Sequence, residues 1–268
     1  MEELAFPPPV DVAGWNGNCS RRCNNESWME VSMRKKVMLL WILAFMIPVF
    51  ASAAFAECVD GDCVNGRGKY VYPDGREYEG SFKDGVPHGR GAFTYPDKKE
   101  KRGDRVLTYL TGGRYEGEIK NGKKEGRGRF YYTNGNEYKG LFREDKREGE
   151  GALTFKDGSK YEGEFKNNKI HGKGVMTNAD GSRYEGEFKE GNPHGKGIFT
   201  FADGRRYEGD LRENRITGKG TLLFPDGRKY VGEFKEETMN GEGTLFYPDG
   251  RKQTGRFENG EFVSEKTE

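Results

Sequence analysis

Three histidines, His88, His171 and His194, are the side chains of this sequence best suited by type to hold a metal ion or move a proton. Gly-Lys-Gly runs at Gly172–Gly174, Gly195–Gly197 and Gly218–Gly220 offer backbone that could cradle phosphate, and abundant Glu and Asp could pair as the acid and base of a glycosidase. Asn178-Ala179-Asp180-Gly181, with Glu187 beyond it, faintly resembles a calcium loop. Spacing argues against each. The histidines share one position of a repeating block, filled by Glu125, Glu148, Thr217 and Asn240 in other copies. Copies stacked side by side would hold His171 and His194 about 10 Å apart, too far to share one ion. No Gly-x-x-x-x-Gly-Lys-Ser/Thr occurs, and Met176 stands where the calcium loop needs its first ligand. The carboxylates are spread evenly, and no nucleophile has a base and an orienting partner in view. The expectation is a chain with no catalytic residue, metal or cofactor.

The elements that position these residues come from a 23-residue period. A block Tyr-x-Gly-x-Phe, with Ile119 and Leu211 in place of Phe in two copies, begins at Tyr115, Tyr138, Tyr161, Tyr184, Tyr207 and Tyr230, with an earlier copy at Tyr78. Tyr, Gly and Phe alternate with charged residues, the period of a half-buried strand. A second alternating run follows in each copy, as in Gly197-Ile198-Phe199-Thr200-Phe201. Gly191, Asn192, Pro193 and Gly195 read as the turn between the runs, and Asp203-Gly204 as the turn after them. One repeat is therefore a β-hairpin that must stack on its neighbours to bury its apolar stripe. Gly117, Gly140, Gly163, Gly186, Gly209 and Gly232 lie inside the first strand, where glycine is costly unless a ring comes close. The Tyr and Phe rings are predicted to lie across them.

The Tyr-x-Gly-x-Phe, Gly-x-Gly and Asp-Gly pattern resembles the MORN repeat family, from about Cys58 to Phe262. The resemblance implies an all-β fold, an elongated antiparallel β-hairpin solenoid, with seven full repeats and two partial ones over residues 57–262 and a polar tail at 263–268. Some 17 strands at about 4.8 Å each would give a ribbon of roughly 80 Å. Family resemblance also implies interaction or assembly as the role, with membrane lipid as the alternative ligand.

Composition fits such a thin ribbon. Hydrophobic residues are 33% of the 268, and 41 are glycine. With 45 basic and 44 acidic residues the charge is balanced, which favours cross-strand pairing and gives no bias toward nucleic acid. At the N-terminus, Arg34-Lys35-Lys36 precedes an uncharged stretch from Val37 that ends in Ala54-Phe55-Ala56. This describes a signal peptide over 33–56, cleaved after Ala56, or else a signal anchor with the repeats outside. Residues 1–32 match no targeting pattern and read as an over-long start or a short cytoplasmic tail. An exported chain, periplasmic, envelope-bound or secreted, makes Cys58 and Cys63 a disulfide candidate capping the first hairpin. Two free thiols or a weak metal pair is the other reading.

Two features break the period. The step from Tyr78 to Tyr115 is 37 residues, and an insert near 97–111 carries Lys98, Lys99, Lys101, Arg102 and Arg105. It reads as an extra hairpin arm with a basic tip, either a tolerated loop or a contact for a partner or an anionic surface. Asn178 replaces the aromatic found at Phe155, Phe201 and Phe224. The leading functional expectation is an exported, non-catalytic scaffold that binds proteins or the envelope surface. A lipid-binding module is the alternative, an envelope enzyme the third reading, and end-to-end self-association through exposed terminal hairpins stays open.

Overall fold

The computed structural model describes residues 56–102, 105–109 and 111–265. The expected signal segment, apart from Ala56, and residues 1–32 lie outside them. Alternation of ring and charge produces the strands: β1 (Glu57–Gly61), β2 (Arg67–Val71), β3 (Glu77–Lys83), β4 (Val86–Tyr95), β5 (Lys98–Arg102), β6 (Arg105–Tyr109), β7 (Gly113–Lys120), β8 (Lys123–Tyr132), β9 (Glu137–Arg143) and β10 (Lys146–Thr154). There follow β11 (Lys160–Lys166), β12 (Lys169–Thr177), β13 (Arg183–Lys189), β14 (Asn192–Thr200), β15 (Arg206–Arg212), β16 (Arg215–Leu223), β17 (Lys229–Lys235), β18 (Thr238–Phe246), β19 (Lys252–Glu258) and β20 (Glu261–Glu265). Eighteen of them form one antiparallel sheet in which each strand pairs with its chain neighbours, β4 passing directly to β7. β5 and β6 form a separate two-stranded sheet. The last strand runs three residues past the predicted end of the array, into the segment read as a polar tail.

The hairpin anatomy differs from the sequence reading at one point. The turn inside each repeat is only two residues, Glu190-Gly191 in the fifth full copy, with φ of 53° and 95°. Both values are positive, the signature of the turn whose twist matches a hairpin. The second strand therefore starts at Asn192, five residues before the predicted run, and Phe201 belongs to the following turn. A bulge hides this early start. Gly186 faces Gly197 and Phe188 faces Pro193, so Glu187 alone opposes His194, Gly195 and Lys196. Gly195 supplies the left-handed residue that the bulge needs, at φ +69°.

The core is one stripe along the ribbon. All seven block tyrosines are at most 1% exposed. Phe188 meets Tyr184 on its own strand and Tyr161 of the previous repeat, each at 5.0 Å and near right angles. The same edge-to-face arrangement joins Tyr138, Phe165 and Tyr161, and it joins Tyr207, Phe234, Tyr230 and Phe257. Each such pair stabilises by about 0.5–1.5 kcal/mol beyond area burial, and here it also links one repeat to the next.

Candidate interaction surface

The tyrosine builds the site's floor. Tyr184 lies flat across the glycine pair Gly186 and Gly197, so a Cβ added to either would fall inside the contact distance of its ring. The Tyr184 hydroxyl donates to the Glu187 carbonyl at 3.0 Å, which fixes the bulge. The same bond recurs from Tyr78, Tyr115, Tyr138, Tyr161, Tyr207 and Tyr230, at 2.7–3.1 Å. Sequence reasoning assigned the glycines to Tyr and Phe rings together. The tyrosine alone covers them, and the phenylalanine packs against its edge, because one flat ring already fills the space over a glycine pair.

On the other face of the sheet the glycine pairs leave bare backbone. A groove of about 1580 Å³ crosses the strands from β7 to β16 along that floor. Its aliphatic lining is Leu141, Ala152, Val175 and Ile198, interleaved with Glu162, Glu185 and Glu208. The ion pairs here run mostly along strands and not across them, contrary to expectation. Arg114–Glu116, Lys160–Glu162, Arg183–Glu185 and Arg206–Glu208 join residues two apart, at 2.7–3.3 Å. The reason is register. Glu162 faces Val175 and Glu185 faces Ile198 across the ladder, so the nearest cation lies two places along the same strand. At the ribbon's edge, Asp203 binds the Arg205 guanidinium, which lies 4.9 Å above the Phe201 ring, and the cluster recurs at Asp226, Arg228 and Phe224 and at Asp249, Arg251 and Tyr247.

Two buried cations were missed. Lys124 is 7% and Arg147 6% exposed, both on the aromatic face. Lys124 Nζ stands 4.9 Å from the Tyr95 ring centroid and 5.3 Å from that of Phe130, with Asp145 at 3.9 Å. Burial pulls its ammonium down to about 8, and Asp145 opposes that only in part. Arg147 lies over Phe165 and donates to the Asn168 carbonyl. The corresponding positions are Pro87, Ile170, Pro193, Ile216 and Met239, a column that the early strand start concealed.

The other sequence-predicted residues fall as follows. Cys58 and Cys63 are joined by a disulfide, with 6.0 Å between their Cα atoms. Cys63 Sγ covers Gly68, the role that a tyrosine ring has over the equivalent Gly91. Lys98, Lys99, Lys101, Arg102 and Arg105 lie on β5 and β6, outside the main sheet. The three histidines open the bulge in their repeats, and among the described residues no three metal-ligating side chains come together. Asn178 closes its turn with a hydrogen bond to Ser182 Oγ.

A single-layer ribbon of β-hairpins with a glycine-floored face defines a repeat protein of the surface-presenting kind. The family model described as MORN repeat matches residues 65–75, 78–99, 115–137, 138–160, 161–183, 184–205, 207–227 and 230–250, more than half of the chain, and the chain belongs to that family. MORN repeats are in general protein- or membrane-interaction modules. None of the curated proteins matches this sequence. Among solved structures, the chain is similar to the TCP10 domain of Danio rerio CPAP in complex with a STIL peptide, at 16% identity and TM-score 0.39, covering 79% of this chain and 100% of that one. It is also similar to the Drosophila melanogaster SAS-4 TCP domain in complex with a proline-rich motif of Ana2, at 18% identity and TM-score 0.29, covering 82% and 99%.

Proposed function

We propose that this chain is an exported, non-catalytic scaffold that holds protein partners along the glycine-floored face of its ribbon. The observation that carries the reading is the groove itself. It is continuous over five hairpins, its aliphatic residues line three successive hairpins, and its floor is backbone that a partner can approach closely. Export is supported by the Cys58–Cys63 disulfide, a bond that persists in oxidising compartments. Lipid binding is a second reading. The β5–β6 hairpin favours it, because it stands apart from the sheet and carries all five basic residues of the insert.

The test is affinity capture from an envelope fraction with the wild type and with the double variant Val175→Trp/Ile198→Trp, which fills the groove from an exposed face. The expected result is a set of proteins retained by the wild type and lost by the variant. Equal capture by both, or flotation with lipid vesicles that requires residues 98–105, sinks the groove reading. Intact-mass measurement of the exported protein checks the compartment. A mature chain starting at Glu57, two hydrogens lighter before reduction than after, is expected; retention of Trp15, Trp28 and Trp41 would refute cleavage.

A further inference from the structure

Two rows of side chains run along the glycine-floored groove, and each keeps a rule from repeat to repeat. In the first row a cation faces a carboxylate across the ladder, as Lys173 faces Glu187, Lys196 faces Asp210 and Lys219 faces Glu233. In the second an aliphatic residue faces a carboxylate, as Val175 faces Glu162 and Ile198 faces Glu185. Both rules fail together between β8 and β11. Arg127 faces Leu141, Arg129 faces Lys139, and Glu150 faces Glu164. Like charges directly opposite destabilise a sheet. Leu141 departs furthest. At its strand position Glu118, Glu164, Glu187, Asp210 and Glu233 lie against the bulge glycine of the following strand, and Glu118 and Glu164 accept a backbone N–H there. Leu141 lies against Gly149 in the same way, has no atom to accept that bond, and is 38% exposed. Glu137 and Tyr131 hold the Arg129 guanidinium. The Arg127 guanidinium, the Lys139 ammonium and the Glu150 carboxylate are exposed, and among the described residues none is in an ion pair or side-chain hydrogen bond.

From β8 to β11 the groove thus passes from two unpaired cations, over an exposed leucine, to two facing carboxylates. Where a repeat breaks its own local rules with no gain to the scaffold, function is the expected reason. We propose that this sector is where the groove reads its partner: an extended protein segment with an acidic, an aliphatic and a basic side chain at alternate residues, lying in that order from β8 to β11. The acid meets Arg127 and Lys139, the aliphatic side chain rests on Leu141, and the base meets Glu150 and Glu164. Alternate residues are required because side chains two apart share one face of an extended chain. Arg127 and Glu164 are three strand spacings apart, about 14 Å, and residues four apart in an extended segment cover about 13.5 Å. Such a segment has no net charge, in keeping with the nearly balanced lining of the groove. The proposal rests on the protein-binding reading of the groove and names the chemistry of its occupant.

The test is an array of immobilised peptides probed with the labelled exported protein. The reference peptide is Ser-Glu-Thr-Leu-Thr-Lys-Ser, and the others replace its Glu, Leu or Lys. Wild-type protein is expected to retain the reference about fivefold better than Ser-Lys-Thr-Leu-Thr-Lys-Ser or Ser-Glu-Thr-Leu-Thr-Glu-Ser. Replacing the peptide leucine by serine should cost the wild type a similar factor and cost Leu141→Glu nothing. Arg127→Glu/Lys139→Glu should invert the charge preference, toward the peptide with lysine at both ends. These substitutions install what the next repeat already carries at the same places, Glu150, Glu162 and Glu164, so the fold is kept. Equal retention of all peptides, no inversion in the double variant, or anionic vesicles bound by the wild type and released by Arg127→Glu/Lys139→Glu overturns the proposal. An array without preference, alongside envelope proteins that are lost on Val175→Trp/Ile198→Trp, overturns it and leaves the groove reading standing. Capture unchanged by Val175→Trp/Ile198→Trp removes both.

Discussion

Tyr184 performs three tasks with one side chain: it fills the stripe, covers two glycines and holds the bulge carbonyl. The last task can be separated from the others. Tyr184→Phe should lower stability by about 1 kcal/mol, the net worth of one hydrogen bond to a part-buried carbonyl. Gly197→Ala should cost more, about 2–3 kcal/mol, because the added methyl meets the ring and not empty space. Urea midpoints of the two variants check the order. Lys124 gives a pH signature. Its pKa is depressed to about 8 by burial, so the folded state penalises its charged form fully below pH 8, and the penalty fades as pH rises toward 10.5. Lys124→Met, a residue that Met239 already supplies at the same position, should stabilise by on the order of 1–3 kcal/mol at pH 7. That gain should shrink between pH 8 and 10 in denaturant titrations. The comparison stops near pH 10, where the tyrosines begin to act in the opposite sense. Burial raises Tyr78 and Tyr230 to about 12, so the stability they contribute is complete below pH 10 and is lost as pH climbs through 12.

At the scale of the hairpin, the two-residue turns differ in chemistry while sharing one geometry. Asn and Gly accept a left-handed backbone readily, and Asn121-Gly122 and Asn259-Gly260 use them. Glu236-Glu237 holds φ of 47° and 70° with two residues poorly suited to it. Replacing the pair by Asn-Gly should raise stability by about 1 kcal/mol, read as a higher thermal midpoint with unchanged circular dichroism. These turns also mark the limit of the sequence as a guide. The first strands were legible because ring, glycine and ring alternate without interruption. The starts of the second strands were not. His194-Gly195-Lys196 has the composition of a turn yet forms a bulge within a strand, so the column containing Lys124 and Arg147 was assigned to a loop. The groove escaped notice for a different reason. Its floor consists of missing side chains, and a pattern of side chains does not show which face they leave open.

At the scale of the whole ribbon, cohesion is a chain of nearest-neighbour contacts, Tyr to Phe to the next Tyr, with no second layer among the described residues. At Ile119 and Leu211 an aliphatic side chain takes the place of that ring. The disulfide closes the first hairpin, where no preceding tyrosine is available to cover Gly68. Strands that lie across the long axis have a mechanical meaning. A pull applied at Gly61 and Glu265 loads the ladder bonds one pair at a time, as a zipper is opened, and never shears many together. Each released repeat should lengthen the chain by about 70 Å, the extended span of 23 residues less the two strand widths it occupied when folded. Force–extension traces should therefore show low, evenly spaced steps, and one high cooperative rupture would contradict the ladder. Such a ribbon would serve as a length gauge that yields in measured increments and rewinds from whatever remains.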